Sequence, residues 1–258
     1  MNPAENVLET FEALFGTFDA DVAQKLIAPD YIQHNLAFPT GAAPVIGFIP
    51  AMKDSGISYT AHRVLTDGNL VVMHNTYDNA HLFGSDKLVA FDILRVDNGQ
   101  LVEHWDNLQP WADKTASGRS MVDGPTKVTD LDKTEANREM FKKFFDDIMY
   151  GKAPEKAADY ISATQYSQHN PNVGDGLAGF GAALQAMAEA GQTMTYESTP
   201  IMVVEGNYAF AASEGKLGDT PTAFFDLFRI EDGLIVEHWD VVAEIPPQSE
   251  WQNRNGKF

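Results

Sequence analysis

FDILRVDNGQLVEHWD, at Phe91–Asp106, returns as FDLFRIEDGLIVEHWD at Phe225–Asp240, with nine identities in 16 positions and no gap. Six of the seven differences are mild, such as Val96 against Ile230, and only Gln100 against Leu234 changes character. A second match lies upstream, YIQHN at Tyr31–Asn35 against YSQHN at Tyr166–Asn170, and Gly68-Asn69 matches Gly206-Asn207. The offsets are 134, 135 and 138, so the copies differ by small loop insertions within one plan. A repeat of this length is a domain, far longer than a solenoid unit. The chain is a tandem duplication.

The segment between the copies, KTASGRSMVDGPTKVTDLDKTEAN, is polar and rich in Ser, Thr, Gly and Asp, as linkers are. The expected division is a first domain over residues 1–113, a linker over 114–133 and a second domain over 134–258. Each copy opens with helical spacing. Val7, Leu8, Phe11, Leu14 and Phe15 form one apolar stripe starting at Asn2 or Pro3, and Met140, Phe144, Phe145 and Ile148 repeat it. Further helices are expected at Asp19–Ile27 and Pro154–Ile161, and then near Gly47–Lys53 and Gly179–Ala190. Strands fill the remainder, in the first copy around Tyr59–Leu65, Leu70–Tyr77, Lys87–Val96 and Leu101–Leu108. Helices first and antiparallel strands last predict an α+β domain with helices on one face of a curved sheet.

The 258 residues carry 18 Lys plus Arg against 37 Asp plus Glu, a net charge of −19. The excess is even, with 5 basic and 14 acidic residues in 1–112 and 13 and 23 in the remainder. Such a surface repels phosphate backbones and anionic lipid, so neither nucleic acid nor membrane is an expected partner. There is no Cys, which excludes disulfides, thiolate ligands and a Cys nucleophile. No basic segment followed by an apolar run opens the chain, and no stretch approaches the roughly 20 apolar residues of a membrane span. A cytoplasmic protein is expected.

The turn Val96-Asp97-Asn98-Gly99-Gln100 can close in two ways. A two-residue turn on Asn98-Gly99 pairs Asp92 with Trp105, whereas a three-residue loop with a left-handed Gly99 and a bulge pairs Asp92 with His104. Asn-Gly permits both. The bulged form is preferred, because it gathers Asp92, His104 and Asp106 on one face with Ala90, Leu94, Val96 and Val102. The other face then holds Phe91, Ile93, Arg95, Leu101, Glu103 and Trp105. A carboxylate against apolar walls becomes a better base, and a neighbouring His or carboxylic acid can donate to an oxyanion. Asp226, His238 and Asp240 repeat the set. His34, His74 and His169 are candidates for the same pockets as substrate-binding groups. Each feature also has a plainer reading. The strand face could be solvated surface, and His34 and His169 could be structural histidines holding the turn after the helices. Trp105 and Trp239 read as interface or core anchors.

QHN after two helices, followed by the FDxxRxxDGxxVEHWD hairpin, resembles the SnoaL-like polyketide cyclases, and more closely their aldol-condensation-catalysing branch within the nuclear-transport-factor-2-like superfamily. The resemblance spans each copy almost end to end. It implies two tandem cone-shaped domains, each a bent antiparallel sheet wrapped around about three helices and a deep pocket. It places the acid/base at Asp106 and Asp240. Family members carry a His 14 residues before that aspartate, where this chain has Asp92 and Asp226. The copies also differ in the second strand, where Ala212 stands against His74.

The expected function is metal-free acid/base chemistry, aldol condensation or enolisation, on a small hydrophobic carbonyl compound, with Asp106 as base and His104 and Asp92 steadying the oxyanion. The alternatives are a non-catalytic binder of small molecules and an assembly module with a vestigial pocket. No cofactor is expected. His34, His74, His104 and two carboxylates lack a tight ligand spacing such as HExxH, so no metal is expected either. The resemblance implies domains that pair through their sheets. An internal pseudo-dimer, with Trp105 and Trp239 at its contact, and further homo-oligomers are expected.

Overall fold

The computed structural model describes residues 2–258, which form two compact units. The first comprises residues 2–111 with Pro246–Phe258, and the second Ala112–Ile245. Each holds a five-stranded sheet, with the same strand order in both.

In the first unit α1 (Pro3–Phe11) starts where the sequence signals. Asn2 accepts from the Glu5 amide, the Glu5 carboxylate accepts from the Asn2 amide, and Pro3 stands at a position where its missing N–H costs nothing. The helix runs on as a π-helical turn at Glu12–Gly16, followed by α2 (Ala20–Leu26), β1 (Ile27–Gln33), α3 (Ala42–Ser55), β2 (Ser58–Asp67), β3 (Leu70–Asp78), β4 (Lys87–Asp97) and β5 (Gln100–Pro110). The four strands β2 to β5 are antiparallel neighbours, and β1 joins β5 in parallel. The stripe Val7, Phe11 and Leu14 packs with Ile27, Tyr31, Val71, Met73, Leu94 and Leu101 in one core.

The second unit repeats the order with α4 (Thr134–Phe144), a π-helical turn at Phe145–Met149, α5 (Ala157–Tyr160), β6 (Ser167–Gln168), α6 (Gly176–Glu189), β7 (Met194–Glu205), β8 (Tyr208–Leu217), β9 (Thr220–Glu231) and β10 (Leu234–Glu244). Phe141, Phe144, Phe145 and Phe228 are the centre of its core. No helix among the described residues is long and apolar enough to cross a membrane.

Two boundaries differ from the sequence expectation. Residues 114–133 are part of the second unit, and Pro246–Phe258 leaves the second copy for the first unit. The first segment is held to the unit through its backbone: the Trp239 indole donates to the Asp123 carbonyl at 3.0 Å, and the Thr129 amide donates to the Asn207 side chain at 2.8 Å. Composition alone reads such a segment as a linker, since hydrogen bonds to distant partners leave no periodic trace.

The hairpin closes in a third way. Asn98 and Gly99 both adopt left-handed φ, +49° and +76°, as a two-residue turn requires. The extra residue falls later, at Val102, between the pairs Val96↔Leu101 and Arg95↔Glu103. The resulting register pairs Asp92 with Asp106 and Leu94 with His104. The bulge restores the same facing for Asp92, His104 and Asp106 that the three-residue loop predicts, but moves Leu101 from the outer face to the core. The second copy repeats this, with Asp232 and Gly233 left-handed, a bulge at Val236 and Asp226 opposite Asp240.

Candidate active site

The strand period of two sorts the repeated residues. In VEHWD, Val102 is the bulge, His104 and Asp106 point inward, and Glu103 and Trp105 point outward. In YIQHN, Tyr31, Gln33 and Asn35 point inward and His34 outward. The inward set lines a cavity of about 560 Å³ whose walls are largely apolar, among them Phe11, Leu14, Phe48 and Leu108. The second copy lines one of about 430 Å³ with Tyr166, Gln168, Asn170, Asp226, His238 and Asp240. Both volumes suit small organic ligands.

Inside the first cavity every polar group is held by another. His104 Nδ1 lies 2.9 Å from Gln33 Oε1, and Nε2 lies 3.0 Å from Asp92 Oδ1. Gln33 Oε1 also accepts from the Asn35 amide at 2.9 Å, which fixes it as the oxygen. Asp92 Oδ2 accepts from Asn75 and from the Tyr77 hydroxyl, both at 2.8 Å. Both ring nitrogens of His104 therefore face acceptors, and each carries a proton. Burial alone would lower the His104 pKa, but the hydrogen bond to Asp92 and the charges of Asp106 and Asp92 raise it. Asp106 accepts from Asn35 Nδ2 at 2.6 Å and has the Lys257 ammonium 3.7 Å from Oδ1. Tyr31 stacks parallel to the His104 ring, and its hydroxyl is bonded by Gln33. Burial, then the charges of Asp106 and Asp92, hold the Tyr31 pKa well above its usual value, so it keeps its proton.

The second cavity has the same frame. His238 bridges Gln168 Oε1 and Asp226 Oδ1, both at 3.0 Å, and Asn170 donates to Asp240 at 2.6 Å. The tyrosine donating to the inner aspartate comes from a different strand: Tyr196 on β7 replaces Tyr77 on β3. Asp240 Oδ1 has no hydrogen-bond partner. Burial, only partly offset by His238, lifts its pKa to about 6. In each cluster the His and carboxylate donor atoms lie within 4.8 Å of one another, a spacing a cation could span. Both ring nitrogens of each histidine are, however, engaged, by Gln33 and Asp92 in the first cluster and by Gln168 and Asp226 in the second.

Three expected substrate-binding residues lie elsewhere. His34 is on the outer face, stacked on Trp105 at 4.9 Å and bonded to Glu103 and to the Gly256 carbonyl. His169 repeats this with Trp239, Glu237 and the Ser120 carbonyl. Arg95 and Arg229 close the outer clamps on Glu103 and Glu237. These are the structural histidines of the plainer reading. His74 stacks on Phe91, and Arg63 lies against its ring, behind the sheet that bears Asp92. The Ala212 counterpart pairs with Phe225 on the same outer side, so this difference between copies does not touch the second cavity. Trp105 stacks on His34, and Trp239 stacks on His169 and donates to the Asp123 carbonyl. The residues missing from the sequence reading are Gln33, Asn35, Tyr31, Tyr77 and Lys257, with Gln168, Asn170, Tyr166 and Tyr196 in the second copy. Alternation within the two QHN motifs was the available signal for most of them.

Residues 7–104 match the family described as SnoaL-like domain. No curated protein matches the chain. Solved structures to which this chain is similar include TsrD from Streptomyces laurentii, at 19% identity over 42% of this chain and 88% of that one, with a TM-score of 0.36. IdmH from Streptomyces antibioticus, described as a proposed polyketide cyclase, matches at 20% identity over 42% and 93%, with a TM-score of 0.36. An epoxide hydrolase from M. tuberculosis matches at 18% over 42% and 82%, with a TM-score of 0.35. Within the first copy, residues 7–104 are thus similar to the SnoaL-like domain, and the second copy repeats the same strand order as a tandem duplicate.

Proposed function

We propose that the first cavity catalyses enolisation or aldol condensation of a small, hydrophobic carbonyl compound, with Asp106 as the general base. The observation that carries this reading is the meeting of the Asp106 carboxylate and the Tyr31 hydroxyl in one apolar-walled cavity. Asp106 takes the proton next to the carbonyl, and the C–H electron pair moves into the new carbon–carbon double bond of the enolate. Tyr31 donates its hydroxyl proton in a hydrogen bond to the enolate oxygen, while Gln33 holds that hydroxyl from behind. His104 cannot serve as the oxyanion donor, because both of its N–H groups are already engaged. It instead orients the cluster and balances the two carboxylates. In condensation the enolate carbon attacks a second carbonyl, a C–C bond forms, and Asp106 returns its proton to the alkoxide.

The second cavity carries the same pair, Asp240 with the Tyr166 hydroxyl, without a cation beside the carboxylate among the described residues. Its aspartate, with a pKa of about 6, has an unpartnered Oδ1 that would accept from a ligand hydroxyl. Deuterium exchange next to the carbonyl of a β-diketone, followed by NMR in the parent and in Asp106→Asn, tests the enzyme reading. Exchange that depends on Asp106 supports it. A β-diketone that binds without exchange, with Asp106→Asn altering affinity alone, would make the protein a binder.

A further inference from the structure

Lys257 reaches the first cluster from the far end of the chain. The segment Pro246–Phe258 is tied along the first unit by backbone and side-chain hydrogen bonds. The Gln252 amide donates to the Leu36 carbonyl at 2.8 Å, Asn253 Nδ2 donates to the Asn35 carbonyl at 2.8 Å, and His34 Nδ1 meets the Gly256 carbonyl at 2.9 Å. Asn255 Nδ2 donates to the Gln33 carbonyl at 2.9 Å. This seating brings Lys257 Nζ onto the Asp106 carbonyl and to 3.7 Å from its Oδ1.

The second unit is seated in the same way by the segment that follows the first copy. The Ala116 amide donates to the Pro171 carbonyl at 2.8 Å, Ser117 Oγ to the Gln168 carbonyl at 2.7 Å, and His169 Nδ1 meets the Ser120 carbonyl at 2.6 Å. Ala116 and Ser120 thus stand where Gln252 and Gly256 do in the first unit, at one common spacing. The counterpart of Lys257 at that spacing is Met121, a buried residue without charge. One cavity has a cation against its aspartate, and the other leaves the matching oxygen unpartnered.

We propose that Lys257 is a positioning residue of the first site, which holds the Asp106 carboxylate as the base and makes the two duplicated cavities chemically unequal. The inference rests on the reading of Asp106 as base. The arms are therefore functional parts of the sites that they cover. Burial pulls the Lys257 pKa below its usual value, and Asp106 and Asp92 offset that only in part. The charged and titratable groups that interact with it are Asp106 and His104 from β5 and Asp92 from β4.

The test needs no substrate, because Lys257 also lowers the pKa of His104 through its charge. The His104 imidazole is titrated by NMR in the full-length protein and in Lys257→Met and Lys257→Arg. The Met variant should titrate higher than the parent by about half a pH unit or more, and the Arg variant should match the parent. Coincident curves for the parent and Lys257→Met, with native backbone spectra, overturn the proposal. Should the Met variant not fold, lysine labelled at Cε in the parent decides. A Lys257 ammonium that titrates with the exposed lysines, and ignores Asp106→Asn, overturns it equally. Asp106-dependent exchange with coincident His104 curves removes the role of Lys257 and leaves the enzyme reading. A Lys257-dependent curve without exchange keeps the placement of the cation and removes the enzyme.

Discussion

Asp92 and Asp106 are direct partners across β4 and β5, each buried, with the imidazolium of His104 3.0 Å from Asp92 Oδ1. Like charges opposite one another in a sheet are destabilising, and in the first copy His104 and Lys257 offset the pair. His104→Phe keeps the ring and removes both N–H groups. It is expected to cost about 3–5 kcal/mol at neutral pH, the range for leaving a buried charge without its partner. Urea unfolding followed by circular dichroism measures it, and a loss under about 1 kcal/mol would contradict the charge balance described.

The second cluster makes stability depend on pH in a stated direction. The folded pKa of Asp240 is raised from 3.8 to about 6, first by burial. Its contribution is therefore present below 3.8 and lost as pH rises towards about 6. His238 is also raised above 6.5, because the hydrogen bond to Asp226 and the charges of Asp240 and Asp226 outweigh burial. Its contribution is present below 6.5 and lost as pH rises through the folded value. Above the range in which the lowered carboxylates Asp147, Asp175 and Glu237 titrate, the second unit should thus weaken as pH rises through about 6 and through the folded value of His238. Asp240→Asn removes the lower part of that slope and stabilises the unit at pH 7 by at most about 3 kcal/mol. Denaturation across pH, followed by Trp239 fluorescence, reads both. A parent whose stability rises over this window would refute the assignment.

The two tyrosines that bond the inner aspartates occupy the two halves of one cross-strand position. Tyr59 pairs with Tyr77 in the first copy and Tyr196 with Gly215 in the second. Tyr77→Phe and Tyr196→Phe should each cost about 1.5–3 kcal/mol, as expected for a hydrogen bond to a charged group. Gly215 cannot take back the side chain, since a Cβ there would lie 1.9 Å from the Thr195 carbonyl. Gly215→Ala is expected to cost about 3 kcal/mol, because β7 must shift. Gly99→Ala meets open space and should cost only the left-handed conformation, about 1–2 kcal/mol. Equal losses at the two glycines would contradict this difference.

The duplication, the element order and the facing of Asp92, His104 and Asp106 were legible because each is local or repeated. Parity along a strand survives an incorrect turn: the bulge sits at Val102 rather than at Gly99, yet returns the same face to the core. The histidines were misplaced because His34 and His74 draw attention by residue type, whereas their facing depends on register. His34 lies between the inward residues Gln33 and Asn35, and His74 pairs with Phe91 rather than with Asp92. Lys257 was beyond reach. Nothing near the end of the chain signals that it returns to the first copy, since that placement rests on hydrogen bonds from His34, Asn253 and Asn255.

Turnover separates inward from outward residues. With a β-diketone that undergoes exchange, Asp106→Asn should lower kcat by about 100- to 10,000-fold, the usual contribution of a general base. Tyr31→Phe removes one oxyanion donor and should lower kcat by about 100- to 1,000-fold with little change in KM, because its hydrogen bond strengthens as charge develops on the oxygen. His74→Ala, behind the sheet against Phe91, should leave both constants of the folded protein near those of the parent. Asp240→Asn should leave the exchange rate of the first cavity unchanged, since its cluster lies in the other unit. Steady-state exchange kinetics on the four variants measure these effects. A His74→Ala enzyme as impaired in kcat as Tyr31→Phe would return His74 to the site and remove the inward–outward division from which the mechanism is built.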